Sequence, residues 1–221
     1  SGTVTASGGA SPIVVSGLIN GTLYTCSVQA SNLAGSSVPS GTVSVTPVAI
    51  AFTGIVESRK LHGATVYPIT INPATPINGA IAIEPRTIGN GHQIAFTFNN
   101  PPTSLTGLTV LDASNQPVGS AAPSFAGNDL IITLTGVPDG KRVTITATGV
   151  NNALTVSASI GFLYGDVNGS GSVTATDIAY IKARSAQTFD PAKFKADINA
   201  NGAVTASDVT AVKAQAGKTL P

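Results

Sequence analysis

Near its C-terminal end the sequence spaces oxygen-bearing side chains in the same pattern twice. Asp166, Asn168, Ser170, Thr174 and Asp177 fall at positions 1, 3, 5, 9 and 12 of a twelve-residue stretch with Gly171 at position 6. Asp197, Asn199, Asn201, Thr205 and Asp208 do the same around Gly202, and the two stretches begin at 166 and 197, 31 residues apart. Alternating oxygens can converge on a hard cation while the glycine permits the sharp turn, and the main-chain carbonyls at position 7, those of Ser172 and Ala203, complete such a set. One stretch of this composition is also what an Asx-rich surface turn looks like. Repetition in register, with Val173 and Val204 both at position 8, points to calcium, one ion in each loop.

Each loop closes on Asp177 or Asp208 where a glutamate is usual, so the carboxylate is one methylene shorter and the following helix must sit closer to the ion. Single helices are expected to follow, over 177–186 and 208–216, with Ile178, Ile181, Val209 and Val212 closing a small core. A duplicated loop ending in Asp with one helix after each copy resembles the type I dockerin module, and the resemblance spans 163–221. It implies two calcium ions, an antiparallel pair of loop-helix units, and a face that docks a cohesin β-sandwich. Loop positions 10 and 11 contact the partner in that family. Here they are Ala175, Thr176, Ala206 and Ser207, with Lys182 and Lys213 one turn further along. Read without the resemblance, these are small residues in a helix's first turn and lysines on its solvated side. The near-repetition would let either helix present a similar face.

The elements that carry this module are read as β. Residues 1–47 alternate in strand fashion at Ile13 and Val15, at Tyr24, Cys26, Val28 and Ala30, and at Val43 and Val45, with turn signals at Asn20-Gly21 and Ala34-Gly35. The run from Ser16 through Leu18, Tyr24 and Asn32 to Pro47 resembles the second half of a fibronectin type III domain, with Leu18 and Tyr24 at the corner where a tyrosine hydroxyl bonds to nearby backbone. Cys26, on the same side as Tyr24, is expected to be a small buried hydrophobe. The first half of such a domain is not in the sequence, so an apolar face made by Ile13, Val15, Leu18, Val28 and Val43 is expected to lie open, with Ser1 inside a domain.

Residues 49–163 read as a second sandwich, with strands expected at 65–71, 80–84, 93–98, 108–112, 129–135, 142–148 and 155–162 and turns at Asn90-Gly91, Asn99–Pro102 and Pro138–Gly140. The span Phe96–Val150 resembles bacterial immunoglobulin-like repeats of surface proteins. Glu57-Ser58-Arg59-Lys60, with His62 and Gly63, is the densest polar cluster before the calcium loops. It is read as a contact between domains or a partner site or, in preference, as a solvated edge strand whose charges block stray pairing. His92 is read as a loop residue. Lys60 could in principle crosslink to Asn151 or Asp112, as strand lysines do in some surface domains. The three divisions are therefore a partial fibronectin-like domain over 1–48, an immunoglobulin-like sandwich over 49–163 and the calcium module over 164–221.

Charged residues make up 10% of the chain, far below the roughly 25% of ordinary globular proteins. The formal net charge of +1 favours neither nucleic acid nor an anionic membrane. With Cys26 the only cysteine, no disulfide forms within the chain. No apolar run reaches the roughly 18 residues of a membrane span, and the start Ser1-Gly2-Thr3 does not read as a signal peptide. Two carboxylates per loop imply modest calcium affinity, which suits the extracellular medium.

The carboxylates before the loops, Glu57, Glu84, Asp112, Asp129 and Asp139, are scattered, and no GxSxG, HExxH, phosphate loop or CxxC is present. The expectation is a non-catalytic secreted or cell-surface protein: mainly β, tandem sandwiches ending in a small helical calcium module that mediates assembly, with a filament or layer of copies as one form of it. The alternative is the anchoring tail of a larger secreted enzyme, such as a glycoside hydrolase or protease, docked to a cohesin-like partner.

Overall fold

The computed structural model describes residues 3–89 and 91–221. The chain forms two compact units, one ending at Ala49 and the other running from Ile50 to Pro221. The start at Ser1-Gly2 and the Asn90 half of the Asn90-Gly91 turn lie outside the described residues.

In the first unit β1 (Tyr24–Cys26) pairs antiparallel with β4 (Val43–Val45), and β2 (Ser31–Asn32) forms a small hairpin with β3 (Gly35–Ser36). The Ile19 amide donates to the Tyr24 hydroxyl at 2.9 Å, the corner contact that the fibronectin resemblance implies. Leu18 and Tyr24 are half-buried around it. No strand forms at Ile13–Val15. Cys26 is exposed, not buried, because β1 and β4 make a two-stranded sheet and two strands cannot sequester a face from water.

The second unit opens with a sandwich. One sheet has the order β10-β11-β8-β5-β6 and the other β7-β13-β12-β9. The strands are β5 (Phe52–His62), β6 (Thr65–Ile71), β7 (Ala82–Glu84), β8 (His92–Phe98), β9 (Gly107–Asp112), β10 (Ser120–Ala126), β11 (Asp129–Thr135), β12 (Lys141–Val150) and β13 (Leu154–Phe162). All neighbours are antiparallel except β7 and β13. The alternating apolar sets point inward from both sheets: Ile94, Phe96 and Phe98 from β8, Leu130, Ile132 and Leu134 from β11, Val143, Ile145 and Ala147 from β12, all essentially inaccessible.

Two strands escape the periodicity argument. β10 carries Ser, Ala and Pro123, is mostly exposed, and sits at a sheet edge, where a proline removes no ladder hydrogen bond. β5 holds the polar cluster, and it is an interior strand between β8 and β6, not a solvated edge. The pleat places Val56, Ser58 and His62 on the buried side and leaves Glu57 and Arg59 half-buried on the other, where Arg59 joins Glu57 and Asp129.

Burying Ser58 and His62 requires partners, and β7 with the residues after it supplies them. Glu84 and Arg86 are fully buried and form a bidentate pair, Nε to Oε1 and Nη2 to Oε2 both at 2.6 Å. Ser58 donates to Glu84 at 2.5 Å. Arg86 also donates to the Tyr67 carbonyl, the Ser58 carbonyl and His62 Nε2, so all five of its N–H groups find an acceptor. Burial alone would raise the Glu84 carboxyl, but the Arg86 hydrogen bonds and charge hold it below its ordinary value.

His92 is a buried strand residue, not a loop residue; its ring lies 4.7 Å from that of Phe162, and burial lowers its pKa to about 4. Lys60 donates to the carbonyls of Ile88 and Gly91, while Asn151 accepts from the amides of Thr103 and Ser104 and Asp112 pairs with Lys141. The three are committed to separate partners, so no crosslinking pair is assembled. Among the described residues no helix is long and apolar enough to cross a membrane.

Glu84→Gln leaves the Arg86 guanidinium buried without its counter-charge, and we expect a loss of about 3–5 kcal/mol in urea unfolding of the chain. Because the folded-state pKa of Glu84 is depressed, the pairing stabilises above the ordinary carboxylate range and its contribution disappears as pH falls through the lowered value. The difference between wild type and Glu84→Gln is therefore expected to shrink on acidification.

Candidate metal centre

Both loops end in a helix, and the two helix starts use the same four groups. α1 (Ala175–Lys182) has Thr174 as N-cap and Asp177 at its third position, and α2 (Ala206–Ala214) has Thr205 and Asp208. Each pair forms a capping box, with the aspartate accepting from the threonine amide at 2.9 Å in both copies. Loop positions 9 and 12 therefore nucleate the helix as well as facing the loop. Both helices begin two residues earlier than expected, at the cap, and end earlier, at Lys182 and Ala214. A short 3-10 turn over Pro191–Ala196, capped by Asp190, leads into the second loop.

The aspartates of the two loops accept from the same set of loop amides. Asp166 accepts from the amides of Ser170 (3.0 Å) and Gly171 (2.7 Å), and Asp197 from those of Asn201 (3.1 Å) and Gly202 (2.7 Å). Asp177 and Asp208 reach back to the amides of Asn168 (3.3 Å) and Asn199 (3.2 Å). Ser170 donates to the Ser172 carbonyl, which places that carbonyl beside the side-chain oxygens. Gly171 and Gly202 hold left-handed φ values of 83° and 94°. At position 4 the loops differ, Gly169 at φ 73° against Ala200 at φ 58°.

All four aspartates are buried. Burial raises the Asp166 carboxyl above its ordinary value; the amides of Gly171 and Ser170 pull it down, and the like charge of Asp177 pushes it up again. Two inward carboxylates with neutral oxygens from Asn, Ser and Thr form a hard, oxygen-only donor set that a divalent cation would neutralise and that offers nothing to a soft metal. Among the described residues no group of three or more His, Cys, Asp or Glu gathers in metal-binding fashion, as follows from having only two carboxylates in each loop.

Val173, Ile181, Ile198, Val204 and Val212 form the core beneath the loops, with Ile178 and Val209 partly buried against it. That core continues into the sandwich through Ile83 and Leu163, and α1 packs on α2. The change of architecture near residue 163 is thus not a gap in packing. The chain's end closes over the first loop: Val173 donates to the Lys218 carbonyl, Leu220 to that of Gly171, Ser172 bridges Thr219, and the Leu220 side chain lies against Gly161 of β13.

The second loop is held from the sandwich. Thr87 donates to the Ile198 carbonyl at 2.8 Å, and a Cβ on Gly202 would stand 3.2 Å from the Gly63 backbone. His62 Nδ1 lies 2.8 Å from Asp197 Oδ2, both side chains fully buried. Phe194 stacks on Tyr67 at 5.3 Å and meets His62 edge-on at 5.9 Å, while the Arg86 guanidinium sits over the Phe194 ring. Reading β5 as an edge strand hid His62. No alternation in the sequence singles out its face, since Ser58 and His62 point inward while Ile55 and Leu61 are exposed on the other side.

Ala175, Thr176, Lys182, Ala206, Ser207 and Lys213 are all exposed. Thr176 and Ser207 accept from the side-chain amides of Asn168 (3.1 Å) and Asn199 (2.9 Å), so position 11 of each loop orients the asparagine at position 3. The carboxylates before the loops serve other partners: Asp129 binds Arg59 and Thr97, and Asp139 binds Lys218 and the Tyr164 amide.

Residues 164–215 match the family model of the Dockerin type I domain. No curated protein matches the chain. A dockerin domain implies calcium-dependent docking to another protein, with cohesins as the partners of such domains, and it occurs in secreted and cell-surface proteins.

Asp166→Ala or Asp197→Ala removes a position-1 oxygen and an acceptor for two loop amides. In each variant we expect the altered loop to lose its calcium response, read as the difference in far-ultraviolet helix signal between calcium and chelator, with the other loop still responding.

Proposed function

We propose that the chain is a non-catalytic, secreted or cell-surface interaction protein whose calcium-folded module joins it to a β-sandwich partner of the cohesin kind or to another copy of itself. Two ions are bound. Asp166, Asn168, Ser170, Thr174, Asp177 and the Ser172 carbonyl hold one, and Asp197, Asn199, Asn201, Thr205, Asp208 and the Ala203 carbonyl hold the other. The observation that carries the reading is the hydrogen bond from Asn168 to Thr176 and its copy from Asn199 to Ser207. Each links a calcium-facing residue to an exposed residue of the docking face, so the order that calcium imposes on the loop is passed to the surface the partner meets.

Assembly among copies draws support from the first unit. Val14, Ile19, Val28 and Val43 are exposed beside a two-stranded sheet with open edges, a template for strands of another chain. Together with a docking face on the second unit this supplies two unlike adhesive surfaces, and head-to-tail contact between unlike surfaces builds an open filament.

Calorimetry of the chain against a panel of cohesin modules tests the docking reading. Binding is expected in calcium, absent in chelator, and lost in a variant carrying both Thr176→Arg and Ser207→Arg; binding that persists in chelator would overturn it. Electron microscopy of the chain alone in calcium tests self-assembly, with filaments or sheets expected and stable single particles at high concentration excluding them.

A further inference from the structure

The two calcium loops repeat each other in sequence and internal bonding, yet their position-1 aspartates have different surroundings. The hydrogen bonds to Asp166 come from its own loop, the amides of Ser170 and Gly171. Asp197 receives the equivalent amides and, in addition, a side chain from 135 residues earlier in the chain, His62 at the end of β5.

The direction of that contact follows from the donors around it. Arg86 Nη1 lies 3.2 Å from His62 Nε2, and a guanidinium has only hydrogens to offer, so Nε2 accepts. The ring hydrogen is then on Nδ1, which donates it to Asp197 Oδ2. Among the described residues Asp197 Oδ1 accepts from the Asn201 amide alone, which leaves this oxygen with lone-pair capacity towards the loop interior. His62 itself is locked by Tyr67 and Phe194 edge to face, and Arg86 by its bidentate pair with Glu84. The run Glu84–Arg86–His62–Asp197 is a fixed hydrogen-bonded chain from the sandwich core to a loop oxygen.

We propose that His62 is a positioning residue for the second calcium site, so that this site is completed by the immunoglobulin-like sandwich while the first is built within the module alone. An outer hydrogen bond of this type orients the ligating oxygen and costs about 10–100-fold in metal affinity when removed. The inference rests on the calcium reading above, and it makes the duplicated loops functionally unequal.

Calcium titration calorimetry on the full chain, with each loop isolated in turn, tests it. In an Asp166→Ala background only the second site remains, and His62→Phe, which keeps the ring and its packing but removes the donor, is expected to weaken calcium about ten-fold. His62→Asn, whose amide can place a donor near the Nδ1 position, is expected to recover most of that loss. In an Asp197→Ala background, where only the first site remains, both substitutions are expected to leave affinity unchanged. Equal weakening of both sites, no weakening of the second, or no recovery by His62→Asn would overturn the proposal. Retention of the sandwich's near-ultraviolet signal in each variant separates a local effect from unfolding. Failure of the wild-type chain to bind calcium would overturn the calcium reading itself, a result distinct from binding that His62 does not influence.

Discussion

The second unit depends on a buried ion pair that no periodicity would place. Glu84 and Arg86 neutralise each other at the edge of the sandwich core, and Arg86, so held, donates outward to His62 and sits over the Phe194 ring. A buried pair of this kind is weak evidence for added stability, since desolvation consumes most of the Coulombic gain. Its value here is geometric. It fixes a planar five-donor fork against the backbone of β5 and β6, and His62, which reaches Asp197 of the second loop, is registered on that fork.

The calcium module is thereby supported on two sides by different means. The first loop is covered by the chain's own end, through main-chain bonds between 171–173 and 217–220 that depend little on side-chain identity. The second is met by side chains and backbone of the sandwich, through His62, Thr87 and the close approach of Gly63 to Gly202. The exposed positions expected to dock a partner lie outside both supports, so packing against the sandwich leaves them free.

What could be read from the sequence divides along the same line. The duplicated loops were legible because their oxygen-bearing residues recur at fixed local spacing twice over, and the Dockerin type I match over 164–215 falls on the same stretch. The apolar strands β8, β11 and β12 were legible because their large apolar residues alternate towards the core, whereas the end of β13 is buried on both faces and shows no such alternation. β5 was not recognised as a strand of the sandwich interior, because its inward positions carry Ser58 and His62 and alternation of polar with polar gives no contrast. The contact between His62 and Asp197 spans 135 residues and obeys no spacing rule. Cys26 was misread for the opposite reason: its alternation is real, but burial needs a second layer, and local pattern does not supply one.

The brace on the second loop bears on how far a duplicated loop can drift from its twin. Ala200 occupies a left-handed backbone position, φ 58°, where the first loop has Gly169. An alanine there costs about 1 kcal/mol or more relative to the relaxed backbone. The loop that carries this cost is the one clasped by the sandwich at Gly63 and Thr87. The strain at Ala200 is thus carried by a turn that contacts outside its own loop hold in place, whereas the first loop meets the same turn with a glycine that carries no such strain.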